Sequence, residues 1–172
     1  KLGAINSILF AVSIIFLYIL IRFRYWYYSL GAVVALIHDV VIVLGIFTLL
    51  SDWVPFSIQI DQAMIAAFLT IVGYSLNDTV VVFDRIRENS KAYKQLAFSD
   101  MVNRSLNDTL SRTVITSITT LFVVVILFVF GGEVLKGFSL ALIIGVILGT
   151  YSSLFIGSAM IVELKTLRAK KD

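Results

Sequence analysis

Apolar residues run almost without interruption in five places along the chain: about 3–21, 31–50, 63–83, 113–130 and 137–162. Each run reaches the roughly 20 residues that a helix needs to cross a hydrocarbon layer about 30 Å thick. A barrel strand would be about 10 residues long with strict alternation, and stretches such as 118–130 do not alternate. The pattern therefore predicts an all-α polytopic membrane protein, with five transmembrane helices forming a single transmembrane domain over 1–172. Composition supports this. The chain is 59% hydrophobic and 15% charged, whereas soluble domains average about 45–50% and about 25%.

The links between the runs differ in charge. Arg22 and Arg24 follow the first run, with Tyr25, Trp26, Tyr27 and Tyr28 placed as an interfacial aromatic belt. Ser51–Gln62 carries Asp52 and Asp61 and no Lys or Arg. The long third link holds Arg85, Arg87, Lys91, Lys94, Arg104 and Arg112, and the tail holds Lys165, Arg168, Lys170 and Lys171. Basic residues thus collect on alternate links, which the positive-inside rule assigns to the cytoplasm. The N-terminus is then expected outside and the C-terminus inside. An outside N-terminus with no cleavable leader predicts a further span and an exported segment upstream. Within the third link, Phe98, Met101, Val102, Leu106 and Leu110 recur at helical spacing. They predict a short amphipathic helix over about 98–110, lying on the membrane surface and leading into the fourth span.

The polar groups inside the spans carry the candidate chemistry. Asp78 stands six residues before the charged run at Asp84–Glu88, about 9 Å along a helix and so within the hydrocarbon layer. Asp39, next to the sole histidine His38, lies about 12 Å from the start of the second span. An ionisable group at such depth pairs with another group or lines a wet path, and is a functional candidate by default. Arg112 opens the fourth span, and Thr116, Thr119 and Thr120 continue from it at i, i+4, i+7 and i+8, flanked by Thr113 and Ser117. Asn77 adjoins Asp78.

Plainer readings exist for several of these. Arg112 can snorkel at the interface, and the hydroxyl stripe can bond back to its own helix. Asp39 can be a structural partner to a neighbouring helix. Asp78, a lone carboxylate among Val, Leu and Phe, fits such readings worst. Gly145, Gly149, Ser153 and Gly157 recur every four residues in the fifth span, a small-residue ridge that predicts close approach of another helix. Cysteine is absent and His38 has no companion, so disulfides, thiolate chemistry and a zinc-type site are not expected. No nucleotide-binding motif occurs, and no cofactor, enzymatic activity or nucleic-acid partner is expected.

Four stretches carry a resemblance: 35–40 (ALIHDV), 72–89 (VGYSLNDTVVVFDRIREN), 105–121 (SLNDTLSRTVITSITTL) and 130–153 (FGGEVLKGFSLALIIGVILGTYSS). Together they resemble the SecF family, the smaller membrane components of bacterial SecDF protein-export complexes, within the RND superfamily of proton-driven transporters. The resemblance implies an RND-type half-bundle, of which this chain would be the last five of six spans. It implies SecD as partner, cooperation with the SecYEG translocon on translocating preproteins, and use of the proton-motive force in the bacterial cytoplasmic membrane. It places the family's proton-transport residues on Asp78 and Arg112, and its His-Asp pair on His38 and Asp39; Asp39 is expected to share in proton transport, with His38, Asn77, Thr116, Thr119 and Thr120 as a supporting polar network. The expected function is proton-driven promotion of protein translocation. The alternatives are an RND-type exporter of lipids or small molecules, and a structural subunit that moves no protons.

Overall fold

A computed structural model describes residues 2–50, 53–54 and 62–169 of the chain. Lys1, Lys170, Lys171 and most of the Ser51–Gln62 link, with Asp52 and Asp61, lie outside the described residues. The rest is helical: α1 (Leu2–Phe23), α2 (Trp26–Leu50), α3 (Gln62–Ala92), α4 (Phe98–Phe130), α5 (Glu133–Tyr151) and α6 (Ser158–Ala169). Between α5 and α6 the helix does not break. It widens into a π segment over Ser152–Gly157, so that residues 133–168 form one membrane-length helix of 36 residues. Four helices among the described residues are long and apolar enough to cross a membrane: α2, α3, α4 and the α5–α6 helix. α1 is apolar and 22 residues long.

The turns have local causes. Gly132, between α4 and α5, has φ 77°, a left-handed backbone that a residue without Cβ adopts at no steric cost. Arg24, between α1 and α2, holds φ 62°. Its N–H caps the helix by donating to the Leu20 carbonyl at 2.8 Å, the usual way a left-handed residue closes a helix end.

The third link differs from the expectation of a separate surface helix. Residues 98–110 are the first part of α4, which continues unbroken through 33 residues to Phe130. Continuity costs no hydrogen bonds, whereas a break would orphan backbone groups at two new helix ends. The apolar side of this first part, Met101 and Val102, is buried against the bundle rather than turned to a surface.

Two apolar clusters hold the bundle. One joins Phe23, Tyr28, Phe83, Ile86, Met101 and Ile161 near the α1–α2 turn. The other joins Val43, Phe47, Met64, Ile71, Val124 and Leu142 at the opposite end. Between them, on every helix from α2 onward, the buried residues turn polar: Asp39, Ser75, Asp78, Thr113, Ser117 and Ser152. A polar layer thus lies between the two apolar clusters, with further buried polar residues such as Ser29, Asn89, Ser105 and Ser139 toward the ends.

Candidate functional site

Small residues create the crossing that supports the polar layer. A Cβ on Gly145 would overlap the Ile71 side chain, and one on Gly149 would stand 3.0 Å from Ser75 Cβ. A Cβ on Gly157 would stand 3.3 Å from the Phe83 ring, and Ser153 is fully buried. The ridge along α5 and the π segment thus lets α3 approach closely, which in an apolar solvent is how helices gain packing contacts.

The first polar cluster centres on Asp39, which is 1% exposed. Ser75 of α3 donates to its Oδ2 at 2.6 Å, and Ser152 donates to the same oxygen at 2.7 Å. His38 Nδ1 lies 3.1 Å from Oδ1. Three helices therefore converge on one carboxylate. Ser152 opens the π segment, and such segments commonly re-aim side chains at functional sites.

The second cluster lies on the α3–α4 face. These helices run antiparallel, with Asn89 donating to Ser105 Oγ at 3.0 Å, Arg85 to Asp108 at 2.9 Å and Tyr74 to Ser117 Oγ at 3.1 Å. Ser117 Oγ also lies 2.6 Å from Thr150 Oγ1 of α5. Asn89 Nδ2 is 3.1 Å from Asp108 as well. That amide, opposed by desolvation and joined by Arg85, holds the Asp108 carboxyl below its ordinary value; Asp108 precedes the apolar part of α4. Asp78 falls between the Arg85 and Tyr74 levels, opposite the stretch of α4 that contains Arg112 and Thr113. It is 4% exposed, and its Oδ2 has no hydrogen-bond partner among the described residues. Thr113 Oγ1 and Thr79 Oγ1 are buried without partners too. Arg112 is exposed and forms no ion pair with Asp78 among the described residues. It lines a cavity of about 410 Å³ together with Asp84, Arg85, Asp108 and Thr109.

The hydroxyl stripe needs correction. Thr116, Thr119 and Thr120 do not join Asp39 or Asp78. Each donates to a carbonyl of its own helix, Thr116 to Arg112, Thr119 to Ile115 and Thr120 to Thr116, at 2.9–3.0 Å. Thr116 and Thr119 are exposed and Thr120 is half-buried. The buried polar stripe of α4 is Ser105, Thr109, Thr113 and Ser117, at strict four-residue spacing. Helix geometry turns the side chain 100° per residue, so starting the stripe at 116 rather than 113 rotates it by about 60°, from the buried face to its exposed flank. Asn77 likewise lies on the exposed side of α3.

Ser75 and Ser152 were not legible as partners of Asp39. The available signal was that Ser75 lies three residues before Asp78, on the same face of α3. Among the described residues no group of three His, Cys, Asp or Glu is placed to hold a metal.

Residues 2–167 match the family model described as protein export membrane protein SecD/SecF, C-terminal. The chain belongs to this family. It is 65% identical over 171 residues to the protein translocase subunit SecF of Rhodothermus marinus, covering 99% of this chain and 55% of that protein. It is 47% identical to the SecF subunit of Cereibacter sphaeroides, covering 99% and 51%. A crystal structure of SecDF in a super-membrane-facing form superposes with TM-score 0.89 at 44% identity, covering 98% of this chain and 22% of that one. The SecDF structure from Thermus thermophilus, described as a translocon-associated membrane protein, gives TM-score 0.82 at 47% identity over 95% of this chain and 22% of that one. The all-helical bundle is accordingly that of the SecDF membrane domain over this length, and the chain is a multi-pass membrane protein of a protein-export family. It spans about half the length of the curated SecF relatives it matches.

Proposed function

We propose that this chain is the membrane part of a SecF-type subunit that uses the proton-motive force to promote protein translocation, with SecD, the SecYEG translocon and translocating preproteins as partners. In this reading it is one RND-type half-bundle of five spans in the bacterial cytoplasmic membrane. Its N-terminus and the Ser51–Gln62 link are outside, and the third link and the C-terminus are cytoplasmic. Charge asymmetry between the links supports the orientation.

One observation carries the proton assignment. Of the two buried acids, Asp39 has a hydrogen-bond partner on each oxygen, while Asp78 keeps an oxygen with none among the described residues. A buried polar atom without a donor needs a proton, a water or a cation from outside the chain. Asp78 is therefore the exchanging site. Asp39 holds the three helices around it, and Arg112 supplies the charge that responds when Asp78 changes state. Arg112, Thr116 and Thr119, exposed where α4 enters its apolar stretch, form the face that meets the SecD half. Each proton entering down the membrane potential releases about 2.3 kcal/mol per 100 mV. That is enough to bias a two-state bundle whose forms differ by a few kcal/mol.

The test is Asp78→Asn in the full-length protein with SecD. Asn preserves shape and hydrogen-bonding but releases no proton, and a neutral amide costs less than a carboxylate at this depth. Insertion is expected to persist, and the uncoupler-sensitive part of export to disappear. Uncoupler-sensitive export at the unmodified level would overturn the assignment in favour of a structural subunit.

A further inference from the structure

The end of the bundle at the α1–α2 turn contains a cavity of about 830 Å³ that the proton reading does not use. Arg22, Arg24, Arg87, Lys91, Lys94 and Lys165 line it, drawn from α1 and its turn, α3 with the link that follows it, and α6, and among the described residues no carboxylate does. One acid reaches into this group from the side: Asp84 lies 2.9 Å from Arg22 and 3.9 Å from Arg87. Arg87 also donates to the Arg22 backbone carbonyl at 3.0 Å, which fixes the Arg87 guanidinium, while the Asp84 pair fixes that of Arg22. Lys165 Nζ is held 3.6 Å from the centre of the Phe98 ring, an attraction that positions the ammonium at the wall. Lys91 and Lys94 form no ion pair among the described residues. Six cations gathered around one concavity repel one another, and the complement to that field is an anion.

The walls say which kind of anion. Tyr25, Tyr27 and Tyr28 stand among the cations, as aromatic rings do at the level of lipid headgroups. Ile21 also lines the cavity, and from it an exposed apolar stripe of Tyr18, Leu17, Ile14 and Phe10 runs along α1 on successive turns. A soluble phosphate would use the cations and leave the stripe bare. An amphiphile would use both. We propose that this cavity binds the phosphate headgroup of an anionic phospholipid whose acyl chain lies along α1. Basic pockets between membrane helices on the cytoplasmic side are suited to such headgroups.

The experiment uses full-length protein purified from its native membrane into neutral detergent. Its thermal transition is followed while dioleoyl-phosphatidylglycerol, dioleoyl-phosphatidylcholine or inorganic phosphate is added. Phosphatidylglycerol is expected to raise the transition saturably, and the other two to leave it in place. Lys91→Gln/Lys94→Gln should weaken the apparent phosphatidylglycerol affinity by roughly 10- to 30-fold, the scale set by two membrane-surface cations. Lys136→Gln, the same kind of charge loss at the far end of the bundle, should not. Equal responses to the two lipids, or an unchanged affinity in the double variant, would overturn the site. A full response to inorganic phosphate alone would overturn the lipid as its occupant. None of these outcomes depends on proton transport, so this proposal and the proton reading stand or fall separately.

Discussion

Replacing Gly149 with leucine is expected to open the α3–α5 crossing. A Cβ at this position stands 3.0 Å from Ser75 Cβ and 3.4 Å from Ser75 Cα. The neighbour that must yield is thus fixed to backbone rather than the end of a flexible side chain. For Gly149→Ala, contact strain of about 1 kcal/mol is offset by the ~0.8–1 kcal/mol that a helix gains on losing a glycine, so the net change is small. Leucine adds three more carbons, and overpacking of that kind costs about 1–3 kcal/mol. Displacing α3 also breaks the 2.6 Å bond from Ser75 to Asp39. Losing a donor to a buried carboxylate costs a further ~1.5–3 kcal/mol. The total is roughly 3–6 kcal/mol, or a fall on the order of 10 °C in the thermal transition. Gly73, whose Cβ would meet nothing within 4 Å, provides the comparison, and Gly73→Ala should leave the transition unchanged or raise it. Fluorescence-detected size exclusion after heating, on the full-length protein in detergent, measures all three. An unchanged transition in Gly149→Leu would refute the close crossing. Equal losses at Gly73 and Gly149 would show that the effect belongs to glycine itself and not to the contact.

Asp39→Asn keeps an oxygen for the Ser75 and Ser152 hydroxyls and should cost about 1 kcal/mol, whereas Asp39→Leu leaves both without their acceptor and should cost ~2–4 kcal/mol; equal unfolding midpoints for the two would sink the clamp. Asn89→Leu should loosen the α3–α4 end by about 1–3 kcal/mol, read as faster hydrogen exchange over 98–110, with Arg85→Gln costing less because its pair is exposed. Asp108 is held below its ordinary value; its contribution to that contact is therefore complete above the ordinary carboxylate range and lost as pH falls through the lowered folded value. Hydrogen exchange over 98–110 that does not speed up on acidification would contradict this. Cysteines placed at Lys91 and Trp53 should label from the inside and the outside of intact cells respectively, and external labelling at 91 would reverse the orientation.

The sequence by itself determined where helices cross and which groups are out of place. Span length is a local, one-dimensional property: about 20 apolar residues satisfy their own backbone as a helix wherever they sit in the bilayer. Asp78 and Asp39 were legible for the same reason, since a carboxylate inside such a run is anomalous without any knowledge of its neighbours. The small ridge at Gly145, Gly149, Ser153 and Gly157 was legible as a close-packing face, but not the fact that it receives Ile71, Ser75 and Phe83. Only the tertiary structure decided which way each helix faces. In water, the polar side of an amphipathic helix declares its orientation. In lipid, interior and exterior are both apolar, and packing alone sets the rotation. That is why the sequence leaves Thr116, Thr119 and Thr120 open to two readings, a shared polar interior or bonds back to their own helix, and the structure shows the second, with Thr113 and Ser117 on the buried face. It is also why Ser75 and Ser152, ordinary residues in sequence, proved to be the donors that hold Asp39, and why Asp78 was left with an unpartnered oxygen. The π segment at Ser152–Gly157 belongs to the same class. Nothing in SSLFIG demands an extra residue in the turn, and the structure places one where α2, α3 and α5 meet.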